Sequence, residues 1–404
     1  MRALLTNFGS LGDFRPLLIL ARHLLKAKMT PVLAFPPFAK GLAEQTGFQY
    51  YPLGPDLVEL RDRVNAHWSE QPEVAESAED MLALLRPFSE AFDRIFAELC
   101  EVARDVDVLI SGPVLPLGRI VHEVTGVPFV SVQMCHFGGT GYGAIQKAGQ
   151  ELLNPFRRKL GLAPVSDPLT AGANSPQLAL YAISAHLFTR PVDWPAHYHV
   201  TGFFFDDAGP AWCPPVELER FLAAGDAPVI ITLGSMIHKD AQELAEIFME
   251  ATLIAQCRAI VQGLPPPSMA GCQSDEIYWT KFVPHEWLFP KASSVVLHGG
   301  AGTAANVFRF GVPGVFVPHG DCYDQRYWAQ FALEAGCTVP AVSYHELTPT
   351  ALGAAIRRVR DDDKIRRAAT SLSRKVNSEP GARLAARLIK EMVAKVGLCQ
   401  DTIF

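Results

Sequence analysis

Two stretches of this chain place chemically competent side chains directly after short apolar runs. In the first, residues 294–297 lead into His298-Gly299-Gly300-Ala301-Gly302-Thr303. In the second, residues 314–317 lead into Pro318-His319-Gly320-Asp321-Cys322-Tyr323-Asp324-Gln325. Three glycines in the four positions 299–302 let backbone N–H groups approach a ligand closely. A helix beginning behind them adds its positive N-terminal end. Thr303 can donate a hydroxyl and His298 an imidazole N–H, so the ligand this pattern suits is an anion, a phosphate or diphosphate. The same glycines also read as a plain tight turn, because a glycine-rich turn alone is a weak signal. Near the amino terminus, Asp13 in the run GSLGDFRP offers a carboxylate. That side chain can accept a proton or cap the following helix, and the residues alone leave both readings open.

The elements that must hold these residues follow from the surrounding pattern. Residues 2–6 and 31–35 read as strands, with a helix over 17–26 between them and a short helix over 38–47 ending at a glycine. That alternation is βαβ, the doubly wound pattern. Further buried-type strands are expected at 106–111, 129–133, 178–183, 198–201 and 228–233. Residues 78–104 carry Leu82, Leu85, Phe88, Phe92, Ile95, Phe96 and Leu99 on one helical face, read as core rather than membrane contact. A helix starting at Thr303 or just after it should stop at Gly311, and another should run to Gly336. Residues 138–159, rich in glycine, read as an irregular segment of the kind that recognises a variable ligand. Residues 206–215, with three prolines and a glycine, are the best linker candidate. After the 228–233 strand come Gly234-Ser235 and a helix over 239–255. Three strand–glycine–helix loops in one half, at 234, 298 and 320, are therefore expected to converge on one cleft at the carboxyl ends of parallel strands, where open α/β sheets bind ligands.

Composition narrows the class. With 404 residues, 49% hydrophobic and 19% charged, the chain can bury two or three domain cores and is not disordered. A net charge of −6 gives no electrostatic reason to expect nucleic acid as a partner. Eight cysteines without metal-ligand spacing read as reduced packing residues of a cytoplasmic protein. The first apolar run is too short for a signal peptide, and no stretch approaches the length of a membrane span. Gly9 and Gly12 lack the third glycine of a dinucleotide fingerprint, so a dinucleotide cofactor is not expected there. The acidic clusters Asp206-Asp207 and Asp361–Asp363 have no third ligand at a sensible spacing for a metal. The second cluster reads as a solvated cap between two helices.

HGGAGT, followed by GVP and then DQ, resembles the donor-sugar signature of GT-B glycosyltransferases. The similarity is to the family 1 type that includes antibiotic, sterol and rhamnolipid glycosyltransferases. It covers most of the chain, and the loop holding Asp13 carries a second hallmark of that family. The resemblance implies an α/β chain of the GT-B class, two Rossmann-like doubly wound domains facing a central cleft. Residues 1–208 would bind the acceptor, 209–226 would link, and 227–404 would bind the donor, with the last helix crossing back to the first domain.

The resemblance also assigns roles. His298, Gly300, Gly302 and Thr303 would contact the nucleoside diphosphate, assisted by Gly234 and Ser235. Asp324 and Gln325 would hold sugar hydroxyls. Phe282 would stack on the base, with Val283 and His285 beside it. Asp13 matches the family's general base, and Gly12, His136 and Phe137 would line the acceptor side. His122 reads as structural, while His319 lies near the sugar-binding pair. The implied reaction is inverting transfer from a UDP- or dTDP-sugar to a hydroxyl of a hydrophobic small molecule or lipid. The nucleotide sugar is then a co-substrate, with no cofactor and no metal, and lipid acceptors leave room for a peripheral membrane contact. Two alternatives stand beside it. A nucleotide-sugar epimerase would not need the GSLGD loop, and a non-catalytic auxiliary partner of a glycosyltransferase would not need His298, Thr303, Asp324 and Gln325.

Overall fold

The computed structural model describes residues 1–9, 11–55, 82, 86, 89–135, 142–206, 212–234, 241–267, 276–319 and 324–401. The chain divides into two compact units, Met1–Phe205 with Glu379–Phe404, and Asp206–Ser378.

Among the described residues, the first unit is built on seven strands, all paired in parallel. They are β1 (Arg2–Thr6), β2 (Thr30–Phe35), β3 (Gln49–Pro52), β4 (Val108–Ser111), β5 (Phe129–Gln133), β6 (Leu178–Tyr181) and β7 (Tyr198–Val200), in the order β3-β2-β1-β4-β5-β6-β7. The central strands are buried along their whole length, as expected for near-continuous apolar runs covered on both faces. The helices are α1 (Leu11–Lys26), α2 (Lys40–Glu44), α3 (Phe92–Ala103), α4 (Leu117–Thr125) and α5 (Tyr142–Lys159). Phe14, Leu17, Leu20 and Leu24 of α1 form the core of one face, while Phe92, Ile95 and Leu99 of α3 with Ile120 and Val121 of α4 form the other.

Among the described residues, the second unit repeats the plan with five parallel strands, β8 (Val229–Thr232), β9 (Ala259–Gln262), β10 (Ile277–Thr280), β11 (Ser294–Leu297) and β12 (Gly314–Phe316), in the order β10-β9-β8-β11-β12. Its helices are α6 (Val216–Ala223), α7 (Ala241–Ala255), α8 (His285–Leu288), α9 (Ala301–Phe310), α10 (Gln325–Glu334), α11 (Pro349–Asp361) and α12 (Asp363–Ser378). The chain then returns to the first unit as α13 (Gly381–Asp401). Ala382, Ala385, Ala386 and Ile389 of α13 join the core of α1. The small alanines let the two helices approach, and burying Ile389 contributes about 1.5–3 kcal/mol.

The order of strands reverses at one place in each sheet, between β1 and β4 and between β8 and β11. Loops leaving such neighbouring strands diverge to opposite faces and open a crevice at their carboxyl ends. The register sets what meets there. Thr6 pairs with Ser111, so Asn7 opposes Gly112, and Thr232 pairs with Leu297, so His298 opposes Leu233.

Several expectations need correction. The irregular segment expected at 138–159 is, over its described part, the helix α5, with Ile145, Ala148, Leu153 and Phe156 buried along one side. Its glycines do not break it, because Gly149 is where the helix meets Leu169: a Cβ there would lie 2.9 Å from Leu169 Cγ. Helix α6 lies inside the stretch read as linker, anchored by buried Leu218. Helix α1 begins at Leu11 rather than residue 17, enclosing Pro16, and α9 begins at Ala301 rather than Thr303.

Candidate active site

At the second switch point the His298 imidazole lies between two glycines. A Cβ on Gly234 would sit 2.5 Å from His298 Cε1, and one on Gly300 would sit 2.4 Å from Nε2. No side chain other than hydrogen fits at either position while the ring stays where it is. Gly299 has φ +96°, and a Cβ there would meet the Gln325 carbonyl at 2.7 Å. The glycines of this loop therefore make room for His298 and for the start of α10, a packing role beyond simple backbone exposure.

Gly300 is the N-cap of α9, so Ala301, Gly302 and Thr303 are its first turn. First-turn amides have no carbonyl within the helix to bond to. The amide of Ala301 is capped from outside: it donates to Asp324 Oδ2 at 2.9 Å, and Trp328 Nε1 donates to the same oxygen at 2.9 Å. Gly302 is exposed and Thr303 buried. Gln325 is also buried, and its Oε1 accepts from the His319 backbone N–H at 2.8 Å. His319 itself stacks on Tyr344 with ring centroids 4.0 Å apart. The structure thus gathers Gly234, His298, Gly300, Thr303, Asp324 and Gln325 around one helix end. Phe282, 48% exposed, and Val283 follow β10. Val283 is held by its own N–H, which donates to Gln262 Oε1 at 3.1 Å. His285 opens α8 and stacks on Phe289 with centroids 4.4 Å apart.

The first unit's switch point holds Asp13. It is the third residue of α1, in the first turn and not at the N-cap, and Gly12 beside it is exposed. The positive end of the helix favours negative charge at such a position. The carboxylate folds back over the loop, so that a Cβ on Gly9 would lie 2.4 Å from Asp13 Oδ2. Asn7, fully buried, fixes this turn: its Nδ2 donates to the Asp13 carbonyl at 3.1 Å and its Oδ1 accepts from Val114 N–H at 3.1 Å. One side chain therefore spans the crevice between the loops after β1 and β4. His122 is in α4, its Nδ1 2.7 Å from the Val127 carbonyl. Ser235, His136 and Phe137 lie outside the described residues.

Comparison with known proteins places the chain in a family. Residues 251–392 match the family model "Erythromycin biosynthesis protein CIII-like, C-terminal domain". Over 97% of its length the chain is 30% identical to O-mycaminosyltylonolide 6-deoxyallosyltransferase of Streptomyces fradiae, of which it covers 97%. The chain belongs to the family 1 glycosyltransferases of the antibiotic and sterol type. It is also 27% identical, over 94% of its length, to a sterol 3-beta-glucosyltransferase of Arabidopsis thaliana, spanning 64% of that longer protein. Among solved structures, the glycosyltransferase of kitacinnamycin superposes with a TM-score of 0.75 at 17% identity, covering 97% of this chain and 99% of that one. Glycosyltransferase VinC in complex with dTDP superposes at 0.71 and 20%, covering 98% and 100%. Both are GT-B glycosyltransferases, and that is the fold of this chain.

Three positioning residues of this glycosyltransferase escaped the sequence reading. Asn7 orients the turn holding Asp13, Gln262 holds Val283, and Trp328 shares the Asp324 oxygen. Asn7 was the most legible of them, a polar residue ending an apolar strand. Its partner Val114 is 107 positions away and carries no side-chain polarity to announce it.

Proposed function

We propose that this glycosyltransferase moves a hexose from a UDP- or dTDP-sugar to a hydroxyl of a hydrophobic small molecule or lipid, with inversion and without a metal. The observation that carries the donor side is the α9 N-terminus, with His298 seated between Gly234 and Gly300 and one first-turn amide already capped by Asp324. The diphosphate would take the Gly302 and Thr303 amides, the Thr303 hydroxyl and His298. A helix end and preoriented donors can carry the charge that develops on the leaving diphosphate. Asp324 and Gln325 would meet the sugar hydroxyls, and Phe282 the face of the base.

Asp13 would act as general base. The acceptor O–H proton passes to its carboxylate as the acceptor oxygen bonds to the anomeric carbon. The bond from that carbon to the diphosphate oxygen breaks on the opposite face, and its electron pair leaves with the nucleoside diphosphate. A single displacement inverts the anomeric centre. The macrolide and sterol glycosyltransferases among the relatives support an apolar acceptor with a hydroxyl. No helix among the described residues is long and apolar enough to cross a membrane.

The test is a donor-by-acceptor assay with UDP- and dTDP-sugars against sterols and macrolactone aglycones, in the presence of EDTA. Nucleoside diphosphate should be released only when acceptor is added, and the product should have the inverted anomer. Activity lost in chelator and restored by a divalent ion would remove the metal-free mechanism. A retained anomer would remove the single displacement.

A further inference from the structure

Helix α9 carries the proposed diphosphate contacts at its N-terminus, and at its other end it is bonded to both places where the chain passes between the two units. Those places are Phe205/Asp206 and Ser378/Glu379. Arg309, in the last turn of α9, donates from Nη2 to the Asp206 carbonyl at 2.9 Å. The Arg309 carbonyl accepts from Ser373 Oγ at 2.5 Å and from Asn377 Nδ2 at 2.7 Å. Asn377 is two residues before the second crossing, and its Nδ2 is also 2.9 Å from the Ser373 carbonyl.

The approach of α9 to α12 is close. Gly311, with φ +65°, ends the helix, and a Cβ there would lie 3.0 Å from Ser373 Cβ and 3.2 Å from Thr370 Cα. A ten-residue helix, about 15 Å long, is stiff over its length. An element fixed at one end by a ligand and at the other by three hydrogen bonds passes on any shift in its position.

We propose that Arg309 is a positioning residue that couples nucleoside diphosphate binding to the order of both chain crossings. This rests on the reading of the α9 N-terminus as the diphosphate site. Binding pulls the first turn of α9 toward the anion, and Arg309 transmits that constraint to Asp206 on one side and to Ser373 and Asn377 on the other. The guanidinium suits this because its fork of donors holds a fixed direction, which a lysine ammonium does not. Coupling of this kind is reciprocal, so the state of the crossings also weights affinity for the nucleotide.

The experiment is amide hydrogen exchange of the full chain with and without saturating UDP or dTDP, for the wild type, Arg309→Met and Asn377→Leu, with melting temperatures alongside. In the wild type, nucleotide should slow exchange by about fivefold or more both at residues 301–304 and at the two crossing segments. Arg309→Met should keep the slowing at 301–304 and lose it around residue 206, while Asn377→Leu should lose it chiefly around 374–381. Arg309→Lys should recover less than half of the effect at residue 206. Crossing segments that slow equally in Arg309→Met and wild type would overturn the coupling while leaving the diphosphate site intact. The coupling also fails if a drop in melting temperature accompanies loss of slowing at 301–304 as well, because that marks a structural role. A wild type that binds neither UDP nor dTDP overturns both the site and the coupling.

Discussion

The carboxylate of Asp324 caps a helix to which it does not belong: its Oδ2 lies 2.9 Å from the backbone nitrogen of Ala301, 23 residues earlier. Asp324, which precedes α10, is thereby tied to the first turn of α9, with the Trp328 indole donating to the same oxygen. An anionic side chain at a helix N-terminus is favourable, and losing such a cap costs about 1 kcal/mol.

That geometry separates a structural role of Asp324 from a sugar-binding one. Asp324→Ala should lower the melting temperature of the second unit by about 2–4 °C, the shift expected from losing about 1 kcal/mol in a unit of this size. Asp324→Asn keeps an acceptor oxygen for Ala301 and should melt close to wild type. If the side chain also holds the donor sugar, Asp324→Asn will still reduce kcat/KM by tenfold or more, in line with about 1.4 kcal/mol lost on weakening a charge-assisted bond. Calorimetry with steady-state kinetics reads both quantities, and unchanged kinetics in Asp324→Asn would confine the residue to capping.

Gly300→Ala tests the seat of His298. Gly300 has φ −63°, so alanine meets no backbone strain, and the whole effect comes from a methyl 2.4 Å from Nε2. The imidazole must move, and nucleoside diphosphate affinity should fall about tenfold, the loss of roughly one hydrogen bond to a charged group. The fold should survive, because the ring lies at the edge of the crevice and not in the sheet core. Titration calorimetry with UDP and dTDP decides it, and wild-type affinity in Gly300→Ala would remove His298 from the diphosphate contacts.

Glu379 gives a pH-dependent test of the return crossing. Its carboxyl is raised above the ordinary glutamate range, chiefly by burial and against the hydrogen bonds from Ser184 and the Ala185 amide and the charge of His186. Its Oε1 is 2.7 Å from the Ala185 nitrogen. A carboxyl with a raised folded value stabilises fully below its unfolded value, about 4.3, and that stabilisation is lost as pH rises through the folded value. The ionised, half-buried group is therefore a liability at pH 7–8. Glu379→Gln keeps the oxygen for Ala185 without the charge, so it should melt higher than wild type at pH 8 and no higher near pH 4. A difference that does not change with pH would refute the burial argument.

The two sheets were legible because their strands are unbroken apolar runs, and β1, β5 and β11 begin and end at the residues the pattern indicates. Gly311 was equally plain as a helix stop, and it adopts the left-handed conformation that only glycine takes without strain. The site was readable as a set of loops but not as a set of contacts. Nothing local ties Asp324 to Ala301 or Asn7 to Val114, since those bonds arise from strand order and register. The sequence pattern places the start of α9 at Thr303 because Gly300-Ala301-Gly302 has weak helix propensity, which the Asp324 cap offsets. Helix α5 was missed for a related reason. Its glycines lower propensity, yet one of them marks the contact with Leu169 and holds that packing together.

Asp13 carries the sharpest prediction. It stands at the third position of α1 with the carboxylate folded over Gly9, and the test sets charge at a helix start against proton acceptance. Asp13→Asn preserves size but cannot take the acceptor's proton, so turnover should fall by about a hundredfold or more, the scale of general-base catalysis. Loss of a helix-start charge alone costs about 0.3–1 kcal/mol of stability and leaves turnover untouched. Nucleoside diphosphate affinity should stay at the wild-type level, because the contacts proposed for it belong to the other unit. Asn7→Ala supplies the second arm. It removes the bonds to the Asp13 carbonyl and the Val114 amide, at about 0.5–1.5 kcal/mol each, and loosens the turn without removing the carboxylate. Turnover should drop in Asn7→Ala by less than in Asp13→Asn, with the fall of activity at low pH still present in its pH–rate profile and abolished in Asp13→Asn. Turnover in Asp13→Asn within twofold of wild type would end the general-base assignment, whatever the melting temperatures show.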